Sequence, residues 1–237
     1  MRDLQWVFGI ATCGLAACGS SHGGTTGGLP DAAAVIDAAI DAPASCPKTL
    51  LVGGMDVVAQ GWTPITIQPA TITYGADYTQ LTTSTPAKAS AGGQLLLTRP
   101  ATVAVDAPFK LQVVMRVVSV DLHGADSLDA AAAILGSLHG TVGDQTDRSE
   151  MAYIDPAKIA WADDSKSTPA NGVNGDFHTY ELSVAADRMA TFSVDGAASI
   201  TRTGFVTNGT IAVGDQTNDP NYDATTQIRS VTLLCAD

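Results

Sequence analysis

Glutamate is almost missing from this chain. Of 24 acidic residues only Glu150 and Glu181 are glutamate, and Lys plus Arg number just 12, which gives a formal net charge of −12. A chain so short of basic residues has no electrostatic footprint for nucleic acid, whose phosphates are held by a basic face. The excess of aspartate over glutamate favours turns, caps and hard-cation ligation over helix interiors, so a loop-rich β protein is expected. Long apolar runs are also lacking: residues 4–17 form a run too short to span a bilayer. His-Glu-x-x-His, paired Cys-x-x-Cys and phosphate-loop patterns do not occur. His123, His139 and His178 are scattered and read as surface or edge residues rather than zinc ligands. Two short matches are set aside. Gly19-Ser20-Ser21-His22-Gly23 fits a nucleophile elbow but has no strand-to-helix context, and Ser45-Cys46-Pro47-Lys48 fits Ser-x-x-Lys but carries a proline where a helix is required.

The apolar run 4–17 ends in small residues, which is the layout of a signal peptide. Leu15-Ala16-Ala17-Cys18 resembles the bacterial lipobox. That resemblance implies cleavage before Cys18, acylation of its thiol and a membrane partner through the lipid anchor. Gly19 next to it is similar to the outer-membrane sorting class, so an exported, outer-membrane protein is expected. Residues 1–17 are therefore taken as a signal peptide and 18–45 as the lipidated cysteine with a Gly/Ser, then Asp/Ala, tether reaching roughly 30 Å. Cys13 would leave with the signal and Cys18 would be acylated, leaving Cys46 and Cys235. A pair in an exported protein argues for a disulfide closing residues 46–237 as one domain.

Within that domain, short apolar runs follow one another with turn residues between them. His178 to Val184 alternates Tyr180, Leu182 and Val184 with Thr179, Glu181 and Ser183, the period of a strand with one buried face. Ala190, Phe192 and Val194 resume the alternation, and Asp195-Gly196 supplies a hairpin turn. The longest run, Phe109 to Val120, places Phe109, Leu111, Val113, Met115 and Val117 on one face and Lys110, Gln112 and Arg116 on the other. Further strands are expected at 49–52, 56–60, 63–68, 70–74, 78–83, 94–98, 151–155, 158–162, 198–202, 210–213 and 227–235. Leu128 to Leu138 has helix propensity from its alanines, but a buried strand is favoured because neighbouring strands need a partner. More than ten short strands without βαβ alternation predict an all-β, two-sheet antiparallel sandwich.

Ile159-Ala160-Trp161-Ala162-Asp163, Phe177-His178-Thr179-Tyr180 followed by Phe192-Ser193-Val194-Asp195-Gly196, and Ile211-Ala212-Val213-Gly214-Asp215 together resemble the concanavalin A-like lectin/glucanase superfamily in its laminin-G-like branch. The resemblance implies a jelly roll with both termini in one sheet, and a fold that hosts lectins, adhesion modules and glycosidases. Its glycosidases place paired glutamates on one strand for the retaining mechanism. Here that strand is absent, and Glu150 and Glu181 are weak catalytic candidates on different strands. Asp215, Asn218, Asp219, Asn221 and Asp223 set five oxygen donors close together, a composition suited to calcium, although the same residues are those of ordinary turns, the reading favoured here. Sugar stacking would fall to Tyr153, Trp161 and Tyr222, although Met151 and Ile159 beside the first two favour burial. The resulting expectation is a non-enzymatic module for carbohydrate or another extracellular partner, with calcium as its one candidate cofactor. A divergent glycoside hydrolase or polysaccharide lyase is the alternative, and a structural envelope lipoprotein is the third reading.

Overall fold

The computed structural model describes residues 46–83, 93–122, 131–138, 150–155, 157–162, 165–170, 175–216 and 222–236. The expected signal peptide, Cys18 and the tether lie outside them.

The molecule is built around β6 (Phe109–Leu122), whose fourteen residues cross the whole of one sheet. Phe109, Leu111, Val113, Met115 and Val117 are all but inaccessible, as the alternation predicts. On one side β6 pairs with β11 (His178–Val184), which continues into β12 (Ala190–Val194) and β13 (Ala198–Arg202). On its other side lies β15 (Tyr222–Leu234). This strand is long enough to carry two neighbours end to end along its far edge: β4 (Thr79–Thr82) against Thr225–Ile228 and β1 (Lys48–Val52) against Ser230–Leu233. Outside β4 runs β3 (Thr71–Tyr74), completing an eight-stranded sheet.

The second sheet runs in the order β10 (Ser167–Pro169), β9 (Lys158–Trp161), β8 (Met151–Ile154), β7 (Ala132–Leu135), β14 (Ile211–Asp215), β5 (Gln94–Arg99) and β2 (Thr63–Ile67). All pairings in both sheets are antiparallel. Leu95, Leu97, Ile134, Ile154, Trp161 and Val213 point from it into the core shared with the first sheet. Each such side chain contributes roughly 1.5–3 kcal/mol by leaving water. The opposite face of the second sheet is apolar too. Leu96, Leu135, Met151 and Tyr153 form a separate buried cluster there. Burial on both faces explains why β5, β7 and β8 read as unbroken apolar runs rather than alternating ones.

The favoured strand within Leu128 to Leu138 is present at Ala132–Leu135. Cys46 and Cys235 form a disulfide with Cα atoms 5.2 Å apart, because β1 and β15 lie side by side. Three expectations need correction. Residues 56–60 are turns and not a strand. The Asp56 carboxylate accepts the Ala59 N–H at 2.9 Å, and the Gln60 side chain bonds both backbone groups of Val52 and the Met55 carbonyl. Strand β10 went unexpected because Pro169, lacking an N–H, sits on a sheet edge where no donor is required. Finally, β15 starts at Tyr222 rather than Gln227, since its polar first half pairs with β4 and β6.

Candidate functional site

The residues singled out for chemistry fall in different places. Glu181 projects from the outer face of the first sheet and pairs with Lys110 at 3.4 Å. Glu150 precedes β8 in the second sheet and is 7 % exposed. A retaining pair needs both carboxyls on one surface about 5 Å apart, so the two do not form one. Trp161 is fully buried, its ring 6.3 Å from those of Phe192 and Phe205 and 5.4 Å from the Arg202 guanidinium. Tyr153 is 5 % exposed, packed with Met151 in the apolar cluster beyond the second sheet. Neither offers a ring to a sugar. Their strands are buried on both faces, so either parity buries the ring. Tyr222 begins β15, but its side chain lies outside the described set.

Two of the five expected oxygen donors, Asp215 and Asp223, lie on neighbouring strand ends linked through Thr83. Asp215 ends β14 and Asp223 opens β15, and both are buried. Thr83, at the end of β4, donates its hydroxyl to Asp215 Oδ2 at 2.5 Å and accepts the Ala224 N–H at 3.0 Å. The Gly93 N–H donates to Asp223 Oδ1 at 2.9 Å, and the Gln94 amide donates to the Gln216 carbonyl. The side-chain oxygens of Gln94 and Gln216 are buried with no hydrogen-bond partner among the described residues. An all-oxygen set of carboxylates, amides and a hydroxyl suits a hard cation such as calcium and not zinc. Asn218, Asp219 and Asn221 lie outside the described residues.

A second constellation was not expected from the sequence. On the outer face of the first sheet, register places Thr73 beside Gln80, Gln80 beside Gln227 and Gln227 beside Arg116. The Met115–His178 pairing then brings Phe177, one residue before β11, alongside Arg116. These side chains are joined in a row. Gln227 Nε2 donates to Gln80 Oε1 at 2.7 Å, Arg116 Nε donates to Gln227 Oε1 at 2.8 Å, and the Arg116 guanidinium lies 4.6 Å from the centre of the Phe177 ring. Arg229, at the bulge of β15, covers the same ring at 3.8 Å while pairing with Asp77 at 2.9 Å. With strands ~4.8 Å apart, the four intervals from Thr73 to Phe177 span roughly 19 Å. Because its members satisfy one another, the row is held in place before any ligand arrives. Its surroundings are polar: Thr179, Glu181 and Ser183 face the same way, and each is partly exposed.

Beside the end of the row, His178 turns inward. Its Nδ1 meets Asp195 Oδ2 at 2.6 Å, and its Nε2 is buried without a hydrogen-bond partner among the described residues. Desolvation alone would raise the Asp195 pKa. The Thr179 N–H, the His178 hydrogen bond and the His178 charge outweigh it and hold the carboxyl below its ordinary 3.8.

No family model and no curated protein match this sequence. Solved structures do. The chain is similar to the carbohydrate esterase of the Shiga toxin-encoding bacteriophage phi24B (TM-score 0.53, 15% identity, covering 81% of this chain and 100% of that one). It is also similar to a protein of unknown function from Shewanella oneidensis MR-1 (TM-score 0.51, 11% identity, covering 77% of this chain and 83% of that one). A legume lectin-like domain from Entamoeba histolytica aligns at a TM-score of 0.48 and 7% identity, covering 80% of this chain and 97% of that one. At such identities the first two likenesses carry the fold, a two-sheet antiparallel jelly-roll sandwich, and leave activity to the site.

Proposed function

We propose that the domain is a non-enzymatic carbohydrate-binding module whose ligand lies across the outer face of the first sheet, along Gln80, Gln227, Arg116 and Phe177. The observation that carries this reading is the joined row itself. Primary amides both donate and accept, which matches the dual character of sugar hydroxyls, and the Phe177 ring at one end holds the Arg116 and Arg229 guanidiniums in place beside them. The likeness to a phage carbohydrate esterase supports carbohydrate as the class of ligand. Hydrolysis is not supported by the residues at hand. Glu150 and Glu181 stand in different sheets, and His178, though oriented by Asp195, meets no nucleophile at Nε2 among the described residues. The reading extends to the rim, where Asp215, Asp223 and the side-chain oxygens of Gln94 and Gln216 would hold a calcium ion.

A glycan array followed by affinity electrophoresis in polysaccharide gels tests both parts. Wild type should be retarded by at least one polysaccharide, and Gln227→Ala, which strands the Arg116 and Gln80 partners, should weaken that binding about tenfold. Absence of any retained glycan, or full binding by Gln227→Ala, would refute the reading. A chelator should lower the melting temperature. An unchanged value would remove the cation and leave the glycan surface standing.

A further inference from the structure

Among the described residues, the cations along the row differ in their partners. Lys110, Lys158, Arg188 and Arg229 each have a carboxylate within 4 Å, and Arg99 is committed to the Leu50 and Gln60 carbonyls. Arg116 differs. Its partners among the described residues are the Gln227 amide oxygen at 2.8 Å, the Gly175 carbonyl at 2.5 Å and the Phe177 ring, all of them neutral. A guanidinium has five N–H donors in a fork shaped to take a carboxylate or sulfate side-on. Among the described residues those hydrogen bonds engage Nε and Nη1, which leaves the Nη2 donors for an acceptor from outside. Arg229 brings a second guanidinium to the same ring, so two positive groups converge there, one of them paired with Asp77. In a chain with a net charge of −12, two guanidiniums on one ring stand out.

We infer that the ligand of this row is an anionic polysaccharide, with a sugar carboxylate or sulfate seated on Arg116 and flanked by Arg229. The inference rests on the row being a carbohydrate surface and adds the ligand class. The neutral amide of Gln80 then reads the adjoining hydroxyls, buried Gln227 holds Gln80 and Arg116 in line, and Arg116 supplies the charge-assisted contact that discriminates acidic from neutral sugars. The net negative charge of the chain sharpens this selectivity, since it disfavours polyanions away from the two guanidiniums.

The test compares polymers that differ in charge alone: polygalacturonate against its fully methyl-esterified form, and dextran sulfate against dextran. Affinity electrophoresis of the wild-type protein should show at least one anionic polymer held roughly tenfold or more tighter than its neutral counterpart, the difference a charge-assisted hydrogen bond supports. Which of the two is preferred separates carboxylate from sulfate. Arg116→Gln should abolish the difference, lowering affinity for the charged polymer far more than for the neutral one, and Arg116→Lys should retain part of it. If Arg116→Gln lowers the melting temperature, Arg229→Gln serves instead, with a loss of a few-fold because Asp77 already shares its charge. Equal retention of charged and neutral polymers, or full discrimination by the correctly folded Arg116→Gln protein, would overturn the inference and leave carbohydrate binding intact. Retention of none of these polymers, together with a blank glycan array, would overturn both.

Discussion

Tyr180 shows how a single side chain records the packing around it. Its ring is fully buried and stacks on Phe192 at 6.2 Å between centroids, yet its hydroxyl has no hydrogen-bond partner among the described residues. Burial pushes the phenol well above its ordinary 10.0, and the nearby Asp195 carboxylate adds to the shift. The sign of the consequence is fixed by linkage. A group whose pKa is raised on folding contributes stability that is complete below the unfolded value and is lost as pH climbs past it. The protein should therefore lose stability above pH 10.0, where the unfolded phenol ionises and the folded one does not. Tyr180→Phe removes both the unsatisfied hydroxyl and this linkage. Urea denaturation should find the variant about 1 kcal/mol more stable at neutral pH, with the gap widening in alkali. A gap that closes above pH 10.0 would contradict the assignment.

At the scale of an element, the β12–β13 hairpin is the clearest case of local sequence choosing local structure. Asp195 and Gly196 have φ of 51° and 67°, and the Ala197 N–H returns to the Val194 carbonyl at 3.0 Å, which makes a β-turn with both central residues left-handed between the paired Val194 and Ala198. Nothing lies within 4 Å of where a Gly196 Cβ would stand, so only backbone strain opposes a side chain there. Gly196→Ala should cost about 1 kcal/mol in urea denaturation without altering the near-ultraviolet spectrum, and no loss would remove strain as the reason for glycine. Elements of this kind were legible. In β6, β11 and β12 one face is buried and the other wet, so the pattern shows in the residues themselves. Residues 56–60 misled, because the Val57-Val58 pair has the look of a strand, while the Asp56 and Gln60 side chains bind local backbone and close a turn. The row on the outer face was not legible at all. Gln80 and Gln227 are 147 residues apart, Arg116 and Gln227 are 111 apart, and only the register of β4, β15 and β6 unites them. The rim was half legible, since Asp215 and Asp223 are near in sequence but Thr83 and Gln94, which complete their surroundings, are not.

For the whole molecule, what matters is that the two outer faces differ. Beyond the second sheet Leu96, Leu135, Met151 and Tyr153 are buried in an apolar cluster, whereas beyond the first sheet amides, hydroxyls and guanidiniums are aligned across strands. The Cys46–Cys235 bridge joins β1 to β15 and so ties down the sheet that carries the row. In the chain-entropy picture, cross-linking so long a loop contributes roughly 5 kcal/mol at most. A rigid, polar, hydrogen-bonded outer face is the platform that the proposed function requires. Hydrogen–deuterium exchange of the protein with and without a bound acidic oligosaccharide locates the ligand directly. Protection is expected in the stretches holding Gln80, Arg116, Phe177 and Gln227, with the second sheet unchanged. Protection confined to Gln94, Asp215 and Gln216 at the rim, or to the strands of the second sheet, would contradict the placement of the ligand on the first sheet.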